Sequence, residues 1–243
     1  MTTPYYESDD ALAQYLWLHY VGQGETAPFP VRCVTQTLDR IRLPAGARAL
    51  DLGCAVGRSS FELARWCTEV VGLDYSARFI AAARALQAGQ SLPFELAEQG
   101  ELKESFTARA PEGVHRAAVR FAQGDAQQLP EDLGSFDVVL MANLLCRLPE
   151  PRRLLERAAG LVRPGGQLVI TTPSTWKQIH TPRENWLGGF EREGRPVRTL
   201  DGLHQQLDPA FTLARKLDLP LLIREHARKF EYIVAEATVW FRT

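Results

Sequence analysis

The chain has 243 residues, 45% hydrophobic and 23% charged, with a formal net charge of −1. That length suits one α/β domain with additions and can bury a sizeable core. The near-neutral balance excludes a global field drawing the chain to nucleic acid or an anionic membrane, and no apolar run approaches the ~20 residues that a bilayer span needs. Cys33, Cys54, Cys67 and Cys146 show no CxxC spacing and have no histidine at metal-ligand distance, so they read as reduced thiols. The N-terminal MTTPYYESDD is polar and acidic, unlike a signal or transit peptide. The expectation is a cytoplasmic enzyme or binding domain without a metal, with monomer and homodimer both open.

Residues 5–20, YYESDDALAQYLWLHY, predict an amphipathic helix. Ser8 is its candidate cap, Asp9 and Asp10 lie in the first turn, and Leu12, Tyr15, Leu16 and His19 recur at helical spacing. VGQGETAPFP predicts a loop and VRCVTQTLDRI a second helix, so residues 1–44 form a helical lid. Strands are then predicted at 48–52, 69–73, 119–123, 136–142 and 167–171, with helices at 58–66, 77–87 and 152–162. Apolar strands alternating with helices imply a parallel sheet covered on both faces. Residues 88–118, rich in Glu, Ala and Gly, interrupt this order and predict a surface insertion, partly helical. Residues 173–200 carry Trp176, Trp186 and Gly188-Gly189, and a loop of that length predicts a lid or substrate loop. The stretch from 211 to the end predicts two strands around an excursion, which completes seven.

The first strand runs into Asp51-Leu52-Gly53-Cys54-Ala55-Val56-Gly57 and then a helix. A glycine turn there lets a ligand approach backbone N–H groups at the helix start. The spacing is a poor GxGxxG dinucleotide fingerprint, and no P-loop lysine follows. Asp51 at the strand end repels a pyrophosphate and attracts a cationic amino group. Asp74 closes the second strand in VVGLDYS, where a carboxylate can accept from both ribose hydroxyls. Asp125 closes the third in QGDAQQLP, where it can accept from an adenine amino group while the Ala126 N–H meets a ring nitrogen. Three acids at successive strand ends favour a ligand with ribose, adenine and positive charge but no phosphate, which describes S-adenosylmethionine (SAM).

LDLGCAVGR, VVGLDYS, GDAQQLP, FDVVLMANLLCRL and LVRPGGQLVIT together resemble class I SAM-dependent methyltransferases over roughly residues 45–172. The resemblance implies a Rossmann-like α/β fold with a mostly parallel seven-stranded sheet, and a cofactor site. Asp51, Gly53, Cys54, Gly57, Arg58 and Ser59 supply its first turn, and Asp74, Tyr75 and Ser76 the second. Asp125 and Ala126 form the third, and Asn143 borders the reactive methyl. Ala55 departs from the commoner glycine. Methyl transfer is an in-line displacement, so the enzyme must hold a nucleophile about 3 Å from the methyl and exclude water; a metal is not required by this logic. An NAD(P) oxidoreductase, a methyltransferase of another small metabolite and a non-catalytic SAM-binding subunit are the alternatives.

YYESDDALAQYLWLHY, TPSTWKQIHTPRENWLGGFEREGRPV and DLPLLIREHARKFEYIVAEATVWFR resemble the ovothiol-forming methyltransferase, usually the C-terminal domain of 5-histidylcysteine sulfoxide synthase. TPRENWLGG is the most specific part. The implied reaction is methylation of the imidazole π-nitrogen of a thiolated histidine, 5-thiohistidine. Arg32, Arg183 or Arg224 can pair the substrate carboxylate, and Glu7, Glu184 or Asn185 its ammonium. Tyr5, Tyr6, Trp176 and Trp186 can wall the ring. Tyr6, His19 or His180 is the candidate base. Plainer readings stand beside these: His19 as a core residue, Trp186 as a staple, Arg224–Glu225 as a solvated ion pair, and Cys33 and Cys54 as buried small apolar groups.

Overall fold

Seven strands form one sheet in the computed structural model, which describes residues 4–22 and 27–243. In chain order they are β1 (Arg48–Leu52), β2 (Glu69–Asp74), β5 (Val119–Gln123), β6 (Phe136–Ala142), β7 (Val162–Thr172), β10 (Phe211–His226) and β11 (Lys229–Arg242). Their spatial order is β10-β11-β7-β6-β1-β2-β5, parallel from β7 to β5, with β11 antiparallel to both its neighbours. The Rossmann-like expectation is met. Every residue of β6 but Ala142 is buried, as a continuous apolar run through the middle of a two-sided sheet requires. Helices α3 (Arg58–Leu63), α4 (Ala77–Gln87) and α5 (Pro151–Leu161) connect these strands. In α5, Leu154, Leu155, Ala158 and Leu161 form the buried stripe, and Pro151 opens the helix where a missing N–H costs nothing.

Several boundaries move. The N-terminal helix divides into a 3-10 turn (Pro4–Glu7), α1 (Asp9–Leu16) and a π-helical turn (Trp17–Val21). Ser8 caps α1 as expected, accepting from the Ala11 N–H at 3.1 Å. The second helix, α2, spans Phe29–Thr35 and not 31–41, because Pro30 fits its first turn; the predicted loop before it lies partly outside the described residues, at 23–26.

The insertion is chiefly a β-hairpin, with helical character confined to a 3-10 turn at Arg116–Ala118. Strands β3 (Leu92–Gln99) and β4 (Leu102–Ala108) pair outside the main sheet, with Phe94 and Phe106 stacked at 5.6 Å. Leu92, Phe94 and Leu96 alternate with polar residues at the strand period, and Leu96 packs against Ala13 and Trp17. The chain end holds no excursion: DLPLLIREH continues β10. Pro220 is tolerated there because β10 is the sheet edge.

Candidate active site

The turns after β1, β2 and β5 open on one cavity, lined by Gly53, Ala55, Ser59, Asp74, Tyr75, Gly124, Asp125, Ala126 and Asn143 among others. Asp74 is fixed from two sides: Oδ2 accepts from the Ala55 N–H and Oδ1 from the Ser76 N–H, each at 2.9 Å. Each oxygen keeps a lone pair for a further donor. Burial pushes the Asp74 carboxyl up to about 6, with the charge of Glu7 adding and the backbone N–H bonds opposing. Asp125 Oδ1 accepts from the Gln127 N–H at 2.8 Å. Ala55 at φ 48° and Asn143 at φ 51° both occupy the left-handed region. Asn tolerates that conformation; alanine does so at a cost of about 1–2 kcal/mol.

Asp51 lies behind this wall. Its Oδ2 accepts from the Ser59 and Ser60 hydroxyls at 2.7 and 2.6 Å, while Oδ1 is buried without a partner. Burial pushes its carboxyl up to about 6 against those two hydrogen bonds. Cys54, Gly57, Arg58 and Ser76 also stand behind the cavity surface. Gly57 is needed for packing: a Cβ there meets the Phe121 ring at 2.5 Å. Ser76 caps α4 through the Phe79 N–H, and the Cys54 thiol is buried and pushed well up by burial.

The N-terminal segment closes the cavity from above. The Ser76 hydroxyl donates to Tyr6 O at 3.0 Å, the Ala77 N–H to Glu7 Oε1 at 3.1 Å, and the Tyr20 hydroxyl to Val56 O at 2.6 Å. These bonds seat the N-terminal segment on the turns after β1 and β2 and use Glu7 as an anchor, not as an ammonium receiver. Tyr6, Tyr15, Leu18 and His19 thereby line the cavity, together with Phe29 and Pro30 of α2. His19 is carried by the π-helical turn, an irregularity frequent at functional sites. Its Nδ1 is buried without a partner, and burial, aided by the Arg58 charge, lowers its pKa to about 3. The ring is neutral at physiological pH.

The other predicted substrate residues are not brought to this cavity. The Arg32 guanidinium donates to Ala27 O and Pro220 O, beside a separate small cavity. Arg183 stacks on Trp186 and Phe190 at 4.7 and 4.6 Å. Arg224 is 5% exposed, donates to Glu104 Oε2 at 2.7 Å and faces Phe106; Glu225 pairs instead with Lys229. Tyr5 is half exposed and donates to Gln14 Oε1. The 173–200 segment, which carries the short hairpin of β8 (Phe190–Arg192) and β9 (Arg195–Val197), folds against the core and lines the cavity through Pro173. Trp176 is buried and donates to Thr199 Oγ1 at 3.0 Å, and Trp186 donates to Thr181 O at 2.9 Å, the stapling role. His180 lies off the cavity wall, and burial, then the Arg147 charge, lowers its pKa. Asn185 Nδ2 donates to Pro149 O at 2.9 Å.

A family model described as "Methyltransferase domain" matches residues 50–170. A ubiquinone biosynthesis O-methyltransferase from Cronobacter sakazakii is 30% identical over 212 residues, covering 76% of both chains. The chain belongs to the class I SAM-dependent methyltransferases. A trans-aconitate 2-methyltransferase from Deinococcus radiodurans is 32% identical over 174 residues, 68% of this methyltransferase and 54% of that protein. The methyltransferase spans about half the length of most of the curated relatives it matches. Its fold also matches the structure of magnesium protoporphyrin IX methyltransferase from Synechocystis PCC 6803 with bound SAM. There the TM-score is 0.58 at 18% identity, covering 99% of this chain and 94% of that one. The oxidoreductase alternative is set aside.

The residues fit the cofactor. The free lone pairs of Asp74 suit ribose hydroxyls, Asp125 and Ala126 suit adenine, and the unpaired charge of Asp51 below Gly53 favours an ammonium above the loop. Among the described residues no group of three or more His, Cys, Asp or Glu is placed to hold a metal ion, and no helix is long and apolar enough to cross a membrane. The cavity is also lined by residues that sequence reasoning missed: Arg147, Leu148, Pro173, Leu221, Ile223 and Ile233. The one available signal was position. Arg147 follows Asn143 by four residues in ANLLCRLPE, directly past the fourth parallel strand.

Proposed function

We propose that this methyltransferase methylates the imidazole π-nitrogen of 5-thiohistidine, the ovothiol-forming reaction. The observation that carries the reading is the composition of the acceptor end. Aromatic rings of Tyr6, Tyr15 and Phe29, a neutral imidazole at His19 and one guanidinium at Arg147 surround a space next to Asn143. A small charged heteroaromatic acid matches that set, and the TPRENWLGG and C-terminal stretches resemble the ovothiol-forming family. Bound SAM supplies the methyl group and leaves as S-adenosylhomocysteine (SAH). The chain's own residues hold the ring and exclude water. The Tyr6 ring meets those of Tyr15 and Phe79 edge-on at 6.0 and 6.1 Å, a packed aromatic wall. His19, neutral and with Nδ1 unpartnered, can accept a hydrogen bond from a ring N–H. Asn143 Oδ1 accepts from the Thr171 hydroxyl at 2.9 Å, which turns its amide toward donating.

A second reading is a methyltransferase of another, more apolar metabolite. Leu18, Leu221, Ile223 and Ile233 on the wall favour it, as does the similarity to ubiquinone biosynthesis O-methyltransferases. Incubation with SAM and either 5-thiohistidine or histidine, read by product mass and fragmentation, separates the two. The expected product is 5-thiohistidine carrying one methyl on the π-nitrogen. Absence of that product, with turnover of an apolar acceptor, rejects the proposal.

A further inference from the structure

We infer that Arg147 receives the carboxylate of the acceptor, on a turn braced from behind by the TPRENWLGG segment. The inference deepens the proposed function by assigning a recognition residue at that site. Arg147 is the one arginine or lysine among the described residues lining the cavity. It forms no ion pair among the described residues, and its Nη1 is buried without a hydrogen-bond partner. A half-buried guanidinium with one enclosed, unpartnered nitrogen is left unsatisfied, and a carboxylate ligand relieves that through a charge-assisted, bidentate pair. The wall's own acids do not fill this role. Asp74 and Asp125 are tied to backbone N–H groups in the turns of β2 and β5, at the cofactor end. The arginines proposed from sequence are engaged elsewhere, with carbonyls, aromatic faces or Glu104.

The bracing is specific. Arg147 ends a 3-10 turn, its N–H donating to Leu144 O at 2.8 Å. The next two carbonyls are held from the far side: the Thr181 hydroxyl donates to Leu148 O at 2.7 Å, and Asn185 Nδ2 to Pro149 O at 2.9 Å. Leu148 and Pro149 themselves line the cavity. The TPRENWLGG stretch of the predicted substrate loop thus meets the acceptor wall through this turn, while Pro173 at the start of that loop lines the cavity itself. Thr181 and Asn185 act as positioning residues, and Arg147 is the contact.

The test compares binding of acids with that of their amides to the SAH-loaded protein. The probes are 5-thiohistidine, imidazole-4-acetate and benzoate, each against its carboxamide, measured by calorimetry in wild type, Arg147→Met and Arg147→Lys. Wild type is expected to prefer at least one acid by about tenfold to a hundredfold, the range of a charge-assisted hydrogen bond. Arg147→Met is expected to lose that preference and Arg147→Lys to retain part of it, both binding SAH within about threefold of wild type, which also reports folding. Retained preference in Arg147→Met, no acid preference in wild type for any pair, or loss of SAH affinity matching the loss of acid affinity each overturns the inference. The last outcome would assign Arg147 to the cofactor's own carboxylate. Acid preference lost with Arg147 for benzoate or imidazole-4-acetate, while 5-thiohistidine neither binds nor is methylated, upholds Arg147 and removes the thiohistidine reading.

Discussion

The cofactor end of the cavity takes its residues from consecutive strand–turn units after β1, β2 and β5, whereas the acceptor end gathers Tyr6, His19, Phe29, Arg147, Leu221 and Ile233 from across the chain. The two ends also differ in charge. Asp51 and Asp74, both pushed up to about 6 by burial, mark the first; a single unpaired guanidinium marks the second. On the proposed reading, a cofactor bearing a cation and an acceptor bearing an anion are drawn to opposite ends of one space. The difference teaches that affinity for the cofactor is set by local turn geometry, while acceptor choice depends on how distant segments dock.

The largest expected effect breaks the cofactor end alone. Asp74→Ala removes the acceptors for two ribose hydroxyls, each charge-assisted bond worth roughly 1.5–3 kcal/mol. Kd for SAM measured by calorimetry should rise about 100-fold or more, with acid binding to the acceptor end little changed. Next is the brace behind the acceptor end. A Cβ on Gly188 would stand 2.2 Å from the Arg198 carbonyl carbon and 2.3 Å from the Thr199 nitrogen, so Gly188→Ala must displace backbone. A loss of about 3 kcal/mol, or about 6–12 °C in Tm by calorimetry, is expected. An unchanged Tm would show that the segment from Trp186 to Thr199 is not packed as described.

The pH dependence sharpens the comparison because it acts on the cofactor end. Asp51 and Asp74 have folded pKa values raised to about 6, so the free protein loses stability as pH rises from about 3.8, the unfolded value, through 6. The cofactor's ammonium and ribose hydroxyls favour the ionised forms. SAM affinity should therefore be full above pH 6 and fall below it by up to about tenfold per pH unit for each group. His19 works in the other direction. Held neutral down to about 3, it refuses a proton that the unfolded chain accepts below about 6.5, and stability is lost as pH falls through that window. The smallest effect is at Ala55. Ala55→Gly relieves its left-handed strain and should raise Tm by about 2–4 °C, for a gain of about 1 kcal/mol.

Legibility in sequence follows the same division. Asp74, Asp125 and Ala126 were readable because a strand, an acid and a turn are adjacent along the chain, and adjacency fixes where the acid stands. The sheet was readable from its apolar runs. Arg147 was not, since nothing local separates CRLPE from an ordinary helix approach; the turn that carries it is held by Thr181 and Asn185, more than thirty residues on. Trp176 and Trp186 looked like a substrate lid because large aromatics in a long loop suit one. Instead the cluster under α5 and helix α6 (Thr199–Leu207) takes up both tryptophans, and neither lines the cavity. The β3–β4 hairpin was hidden by Glu and Ala at its exposed positions, which masked the alternation of Leu92, Phe94 and Leu96.

The most direct measurement varies SAM and 5-thiohistidine independently in initial-rate assays of wild type, Asp74→Asn and Arg147→Met. Two separate ends predict a crossed pattern: KM for SAM raised about tenfold or more in Asp74→Asn with KM for 5-thiohistidine near wild type, and the reverse in Arg147→Met. A rise of both KM values together in both variants would contradict the account, and so would wild-type protein that binds SAM without methylating 5-thiohistidine.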